Sequence, residues 1–393
     1  MGDKSSNNVE PSLSDPALIK LDILLPIVQR AYSEQITEIL DYSSSQLSGG
    51  IGGGSIYRFS GQGRVKGELA NWSVILKILK PGGKGESDTN ITDWSYYKRE
   101  ADAYHSGCLS DLPGGIAAPR HLDITEFRDG TSWLWLEDIR DSLEQWTLED
   151  YGRVACDIGR FNGAYLTGTP LPQQPWLSSN WIRSYISLSS SAMEPLHNSL
   201  DNPLIRRWFP GNRSDAFFRL WNQRDVYLNA MDQLPQTLCH LDLFRRNMFL
   251  MNNVSSRKQT VAIDWAFVGI GCIGADISPL VIASLAFFEV GLDKVHELDQ
   301  IVFDGYLEGL RQAGWQGDPR QARLGYLIAK LRYDFSEING WLSGVFDENV
   351  RHIIEQAFGH PLGEIFDYFA ALTNVISYLD DERSKLMNKL NYG

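Results

Sequence analysis

Residues 238–265 read Leu-Cys-His-Leu-Asp-Leu-Phe-Arg-Arg-Asn, then Met-Phe-Leu-Met, then a polar run from Asn252 to Gln259, then Thr-Val-Ala-Ile-Asp-Trp. Two apolar runs bounded by turn residues predict a β-hairpin. Pairing Met251 with Thr260 across its turn sets Asn247 opposite Asp264, and directly opposed side chains stand about 5 Å apart at Cβ. One Mg²⁺, which takes oxygen ligands at about 2 Å, can touch both. Asp242 precedes Asn247 on the loop that feeds the first strand. A carboxylate beside a metal-binding Asn and Asp is the set that phosphoryl transfer uses: one acid orients a hydroxyl and takes its proton, while the metal neutralises phosphate charge. The competing reading makes Asp242 a turn residue, Asn247 a strand start and Asp264 a strand end. It requires one hairpin register to align three polar residues by accident. His240 reads as a structural residue that orients the loop or is buried.

The spacing His240-x-Asp242-x-x-x-x-Asn247, followed by Ile263-Asp264-Trp265, resembles the catalytic segment of the aminoglycoside phosphotransferase and choline kinase family, small-molecule relatives of protein kinases. Gly269, Gly271, Gly274 and Asp276 continue the resemblance. It implies an α+β, two-lobed protein-kinase-like fold. The N-terminal lobe is a small antiparallel sheet with one helix, and the larger C-terminal lobe is mainly helical. It also implies ATP and Mg²⁺ as cofactors, Asp242 as the catalytic acid–base residue, and Asn247 and Asp264 as metal ligands. Against protein kinases, His240-Leu-Asp replaces His-Arg-Asp, Asp264-Trp-Ala replaces Asp-Phe-Gly, and no Ala-Pro-Glu follows. Those departures disfavour a protein substrate. The resemblance spans residues 21–390 as a pattern of elements, but only 238–276 is tightly motif-bearing.

Composition narrows the classes. The chain has 393 residues, 43% of them hydrophobic, and a formal net charge of −13. That length allows two lobes with a sizeable core. The acidic balance argues against a nucleic-acid binder, which needs a basic footprint. No apolar run of the length needed to span a bilayer occurs, so no membrane association is expected. The polar N-terminus lacks a secretory h-region, and Met1-Gly2-Asp3-Lys4-Ser5-Ser6 matches the myristoylation pattern only formally. Cys108, Cys156, Cys239 and Cys272 form no CxxC pair, which suits a reducing cytosol and a cytoplasmic protein. Cys239 adjoins His240, but sequence neighbours need not face each other. Nothing in the sequence sets an oligomeric state.

Taken in order, residues 1–20 read as a disordered or loosely attached tail. Residues 21–138 read as the nucleotide-binding lobe and 139–393 as the catalytic and substrate-binding lobe. Leu21, Leu24, Leu25, Val28 and Ala31 have helical spacing; a short strand follows near Ile36–Leu40. Ser48-Gly-Gly-Ile-Gly-Gly-Gly54 feeds Ser55, and such a turn can bring backbone amides to phosphates; no Walker A lysine follows. A strand Tyr57–Gly61 is expected to turn at Gly61 and Gly63 into Ser73–Leu79. Lys77, inside that apolar strand, needs a partner or solvent for its head, and it resembles the kinase lysine on the α- and β-phosphates. Lys80 is its rival near the Pro81-Gly82-Gly83 turn. A helix is expected from Asp93 to Tyr104. Its Glu100 resembles the glutamate that pairs with that lysine. Trp135-Leu136-Glu137-Asp138 resembles the inter-lobe hinge, with Leu136 at the adenine edge.

Beyond the hinge, helices are expected at Leu148–Leu166, Trp176–Leu188 and Phe217–Leu234. More follow at Val281–Phe288, Leu298–Ala313, Ala322–Asn339, Val350–Gln356 and Gly363–Lys389. Asp334 and Glu337 read as solvated. Arg245 and Arg246 either stabilise the transferring group or fix the loop by salt bridges. The expected activity is ATP-dependent phosphorylation of a hydroxyl on a small molecule such as an aminoglycoside, amino alcohol or sugar. Two alternatives stand beside it: a non-catalytic nucleotide-binding protein, and a kinase-like enzyme that acts on protein or transfers a nucleotide.

Overall fold

A computed structural model describes residues 19–32, 35–47, 55–82, 89–143, 145–252, 258–335 and 338–392. The glycine run 48–54, Glu337 and nearly all of the expected N-terminal tail lie outside them. In chain order the elements are α1 (Leu21–Ala31), β1 (Ile36–Leu47), β2 (Ser55–Val65), β3 (Glu68–Leu79), α2 (Arg99–His105), β4 (Ile116–Ala117), β5 (His121–Glu126) and β6 (Ser132–Glu137). Then come α3 (Leu148–Leu166), α4 (Trp181–Ser187), α5 (Ser190–Asn198), α6 (Pro203–Trp208), α7 (Arg213–Gln233), β7 (Gln236–Cys239), β8 (Met248–Asn252), β9 (Lys258–Ala262) and β10 (Gly269–Cys272). The remainder is helical: α8 (Ile277–Ala286), α9 (Val295–Gln312), α10 (Pro319–Ala329), α11 (Leu331–Phe335), α12 (Ile338–Phe346), α13 (Glu348–Phe358), α14 (Leu362–Val375) and α15 (Ser377–Lys389). The class is the expected α+β, with an antiparallel sheet first and a helical C-terminal region. No described helix is long and apolar enough to cross a membrane.

The chain divides into two compact units, Met1–Lys84 with Pro119–Ile139, and Gly85–Ala118 with Arg140–Gly393. In the first, the described strands form a five-stranded antiparallel sheet in the order β1-β2-β3-β6-β5. Period-2 alternation sends Trp72, Val74 and Leu76 of β3 and Trp133 and Trp135 of β6 to one face. There they bury with Phe59 against Leu24, Ile27 and Val28 of α1. Gly61 and Gly63 do not turn the chain. The strand runs on to Val65 and turns at Lys66-Gly67, both at positive φ. A Cβ on Gly61 would stand 2.1 Å from the Asp41 carbonyl, so these glycines admit the irregular pairing with β1 rather than a turn.

In the second unit α3 is central, and its Tyr151, Val154, Ile158 and Phe161 are buried. It packs backbone to backbone on α9: a Cβ on Gly159 would lie 2.2 Å from the Tyr306 carbonyl, and one on Gly309 2.0 Å from the Cys156 carbonyl. The helix expected from Asp93 starts only at Arg99. The Asp93 carboxylate bonds the amide and hydroxyl of Ser95 (2.9 and 2.8 Å), an Asx turn that competes with helix. The span 322–339, expected as one helix, belongs to α10, α11 and α12, and 363–389 divides at Ile376 into α14 and α15.

Candidate active site

The loop 240–247 leaves β7 and enters β8. Among the described residues β7 pairs with β10, and β8 pairs with β9 in a three-stranded sheet ordered β4-β9-β8. The hairpin forms as expected, but one residue out of the expected register. Met251 pairs with Gln259, Leu250 with Thr260 and Met248 with Ala262. Burial selects this register, since it sets buried Met248 and Leu250 opposite buried Ala262 and Thr260, and a one-residue slip would turn a strand's faces over. Asn247 therefore meets Ile263, whose N–H donates to the Asn247 carbonyl at 2.9 Å.

Asp264 still reaches the cluster, because it leaves the strand in the left-handed conformation (φ 63°, ψ 61°). Leu241 is left-handed too (φ 66°). Such backbone costs on the order of 1–3 kcal/mol per residue and survives only where neighbours over-determine it. At Leu241 the constraint is visible. Asp276 is fully buried and accepts from the amides of His240 (3.2 Å) and Leu241 (2.8 Å) and from Nδ2 of Asn162 on α3 (3.0 Å). Asn162 also donates to the Leu238 carbonyl and accepts from Tyr306 of α9. The central helix thus holds the loop through buried polar groups that are satisfied.

The Asp242 carboxylate is the meeting point. Its Oδ2 accepts from Asn247 Nδ2 at 3.1 Å and its Oδ1 from Arg332 Nη2 at 2.7 Å. Burial pushes the Asp242 carboxyl up; Arg332 and Asn247 pull it back, and the Asp264 charge adds to the rise. Arg332 also donates to the Leu241 carbonyl. The Asp242 amide donates to His240 Nδ1 at 3.2 Å, which makes Nε2 the protonated nitrogen facing the Ile263 carbonyl at 2.9 Å. His240 is wholly buried with both ring nitrogens engaged, as the structural reading expects, and its ring packs 4.5 Å from that of Trp265.

Glu100 is 1% exposed and accepts from the Trp265 amide at 3.2 Å, next to Asp264. Its neighbour Arg99, wholly buried, donates to the carbonyls of Asp93, Trp94, Trp176 and Ala266. Burial draws that guanidinium down to about 10. Arg245 pairs with Asp141 (2.7 Å) and Arg246 with Glu289 (3.0 Å), so both loop arginines fix the loop. Cys239 is wholly buried and burial holds its thiol well above the ordinary value, which leaves no thiolate nucleophile.

In the first unit, Lys77 is 7% exposed and lies opposite Ile56 and Leu134, on the sheet face away from the tryptophans. Leu136 pairs with Ile75 and shares that face. Ser55 pairs with Ile78 and lies on the other. Lys80 is exposed beyond the end of β3.

The donor set suits a hard divalent cation. An amide oxygen of Asn247 turned to Asp242 would face a carboxylate, so the Nδ2 contact is the favourable one and Oδ1 is the end left for a metal. Asp264 adds a carboxylate. Among the described residues no three His, Cys, Asp or Glu side chains cluster to form a metal cage. Mg²⁺ needs none, since one or two protein oxygens with phosphates and water suffice. Arg332 carries no motif; only the packing of a C-terminal helix reveals it. Asp334, expected to be solvated, pairs with buried Lys330 at 2.6 Å.

No family model and no curated protein matches the sequence. Among solved structures, choline kinase from Cryptosporidium parvum Iowa II is similar: TM-score 0.51, 14% identity, 94% of this chain and 97% of that one covered. The fold is that of a small-molecule kinase. A microcompartment-associated aminopropanol kinase is similar to the same degree, with TM-score 0.50, 14% identity and coverage of 92% and 99%.

Proposed function

We propose that this small-molecule-kinase fold is an ATP-dependent O-phosphotransferase acting on the hydroxyl of a small molecule. The reading is carried by the gathering of Asp242, Asn247 and Asp264 at one end of a hairpin in a chain with that fold. Asp242 orients the acceptor hydroxyl and takes its proton as the hydroxyl oxygen attacks the γ-phosphorus; the bond to the bridging oxygen breaks and ADP leaves. Asn247 Oδ1 and Asp264 hold Mg²⁺, which neutralises phosphate charge when bound. Lys77 holds the α- and β-phosphates, and Leu136 offers backbone to the adenine edge. Ser55 serves the nucleotide through its backbone. Glu100, which accepts from the amide next to Asp264, is assigned to the nucleotide site. Positioning and charge neutralisation, rather than covalent chemistry, provide the rate.

The test is ADP release from Mg-ATP with aminoglycosides, macrolides, amino alcohols and sugars, with Asp242→Ala as the blank. Acceptor-dependent release that the variant lacks is the expected result. In parallel, Asp264→Ala should weaken binding of Mg-ATP, and an unchanged titration would remove Asp264 from the metal site.

A further inference from the structure

The cation beside Asp242 is supplied by the chain itself. Arg332 is 8% exposed. Its guanidinium carbon lies 4.6 Å from the ring centroid of Trp181, 5.2 Å from Tyr333, 5.3 Å from Tyr185 and 5.6 Å from Phe267. Trp181 and Tyr185 stack on one another at 4.9 Å with planes 9° apart, so α4 holds two rings in fixed positions beside the guanidinium. Aromatic rings closed around a point next to a carboxylate are what attracts a positively charged group in protein sites. Here that place is filled, and the charge is bonded to Asp242 at 2.7 Å.

Resting on the phosphotransferase reading, we propose that Arg332 is a specificity-determining residue that makes the acceptor a neutral or anionic alcohol rather than a cationic amino alcohol. A cationic acceptor with its hydroxyl on Asp242 would set a second positive charge within a few ångströms of the guanidinium, in a poorly solvated setting where like charges repel strongly. It would also find the ring faces covered. A neutral or anionic acceptor meets no such cost. Two of the five guanidinium N–H groups serve Leu241 and Asp242, and the fork has further donors to offer an acceptor oxygen. The overall charge of −13 acts at long range and is screened within about 10 Å, whereas Arg332 acts at contact.

The experiment compares choline with its uncharged carbon isostere, 3,3-dimethylbutan-1-ol, binding to the wild type and to Arg332→Met by tryptophan fluorescence and calorimetry in the presence of Mg-ADP. Methionine keeps apolar cover on the rings and removes the charge. The wild type should favour the neutral probe. The variant's choline-to-isostere affinity ratio should rise by about tenfold or more, as expected when a like charge a few ångströms away in a poorly solvated setting is removed. An unchanged ratio overturns the proposal, and so does failure of both proteins to bind either probe. If Arg332→Met does not fold, Arg332→Gln takes its place, with circular dichroism as the check. Mg-ATP titration of the same proteins reports on the phosphotransferase reading separately: nucleotide binding with an unchanged ratio sinks only the specificity claim.

Discussion

Lys330, at the junction of α10 and α11, and Arg332 of α11 are buried cations two positions apart, and they serve different regions. Lys330, 2% exposed, is held by Asp334 at 2.6 Å and by Asp380 of α15 at 3.2 Å, and Arg383 shares Asp380 at 2.9 Å. Burial would lower the Lys330 ammonium, but the two carboxylates reverse this and raise it. Its charge is cancelled within the helical scaffold. Arg332 instead reaches out of the scaffold to Asp242 and the Leu241 carbonyl. Burial works against its charge too, and Tyr333 and Asp242 outweigh it. Taking either cation from water costs several kcal/mol. Around Lys330 the return is helix packing; around Arg332 it is the placement and charge of one acid.

Breaking the acid itself has the largest expected effect. Asp242→Ala should lower turnover by roughly 10²–10⁴-fold, the usual worth of an acid–base group, while Mg-ATP titration stays near that of the wild type. Near-normal turnover would remove Asp242 as the base. Lys330→Met should then show the scaffold side of the comparison. It strands Asp334 and Asp380, so denaturant unfolding should report a loss of about 3–5 kcal/mol with the turnover of the folded fraction unchanged. A fall in that turnover would mean the two cations are not functionally separate.

Arg332→Met should do the reverse, with a smaller stability loss of about 1–3 kcal/mol, because the thioether keeps cover on the rings, and a changed acceptor preference. Equal losses in both variants would erase the distinction between the two regions.

The smallest effect concerns a buried acid outside both regions. Asp157 of α3 accepts from Thr260 of β9 at 2.5 Å and pairs with Arg160. Burial raises its carboxyl above the ordinary value, against the pull of Thr260 and Arg160. The folded chain thus binds this proton more tightly than the unfolded chain does. Its contribution to stability falls as pH rises from the unfolded carboxyl value through the folded one, and levels off above. Asp157→Asn should remove that slope, so the difference in unfolding free energy between variant and wild type should change across this acid window and stay flat above it. A difference that does not vary with pH would show that the raised carboxyl is not coupled to folding.

The local signals in the chain were strong where a residue's role is set by its neighbours in sequence. Apolar periodicity marked α3 residue for residue, at Leu148–Leu166, and alternation with turn residues marked the hairpin. The motif spacing singled out Asp242, Asn247 and Asp264. Register escaped the reading because a strand's pairing partner is chosen by which face becomes buried, here Met248 and Leu250 against Ala262 and Thr260. The start of α2 escaped it because Asp93 bonds Ser95 rather than capping a helix.

Sequence alone therefore determined the antiparallel N-terminal sheet, the helical C-terminal region and the acid–amide–acid motif, since these follow from periodicity and short-range spacing. Only the tertiary structure decided that Asp264 joins the cluster through a left-handed backbone step, that Asp276 and Asn162 brace the loop, and that Arg332 bonds Asp242 from 90 residues downstream. Long-range pairing of buried charges leaves no local pattern, because its cost and its return are both set by which groups packing removes from water.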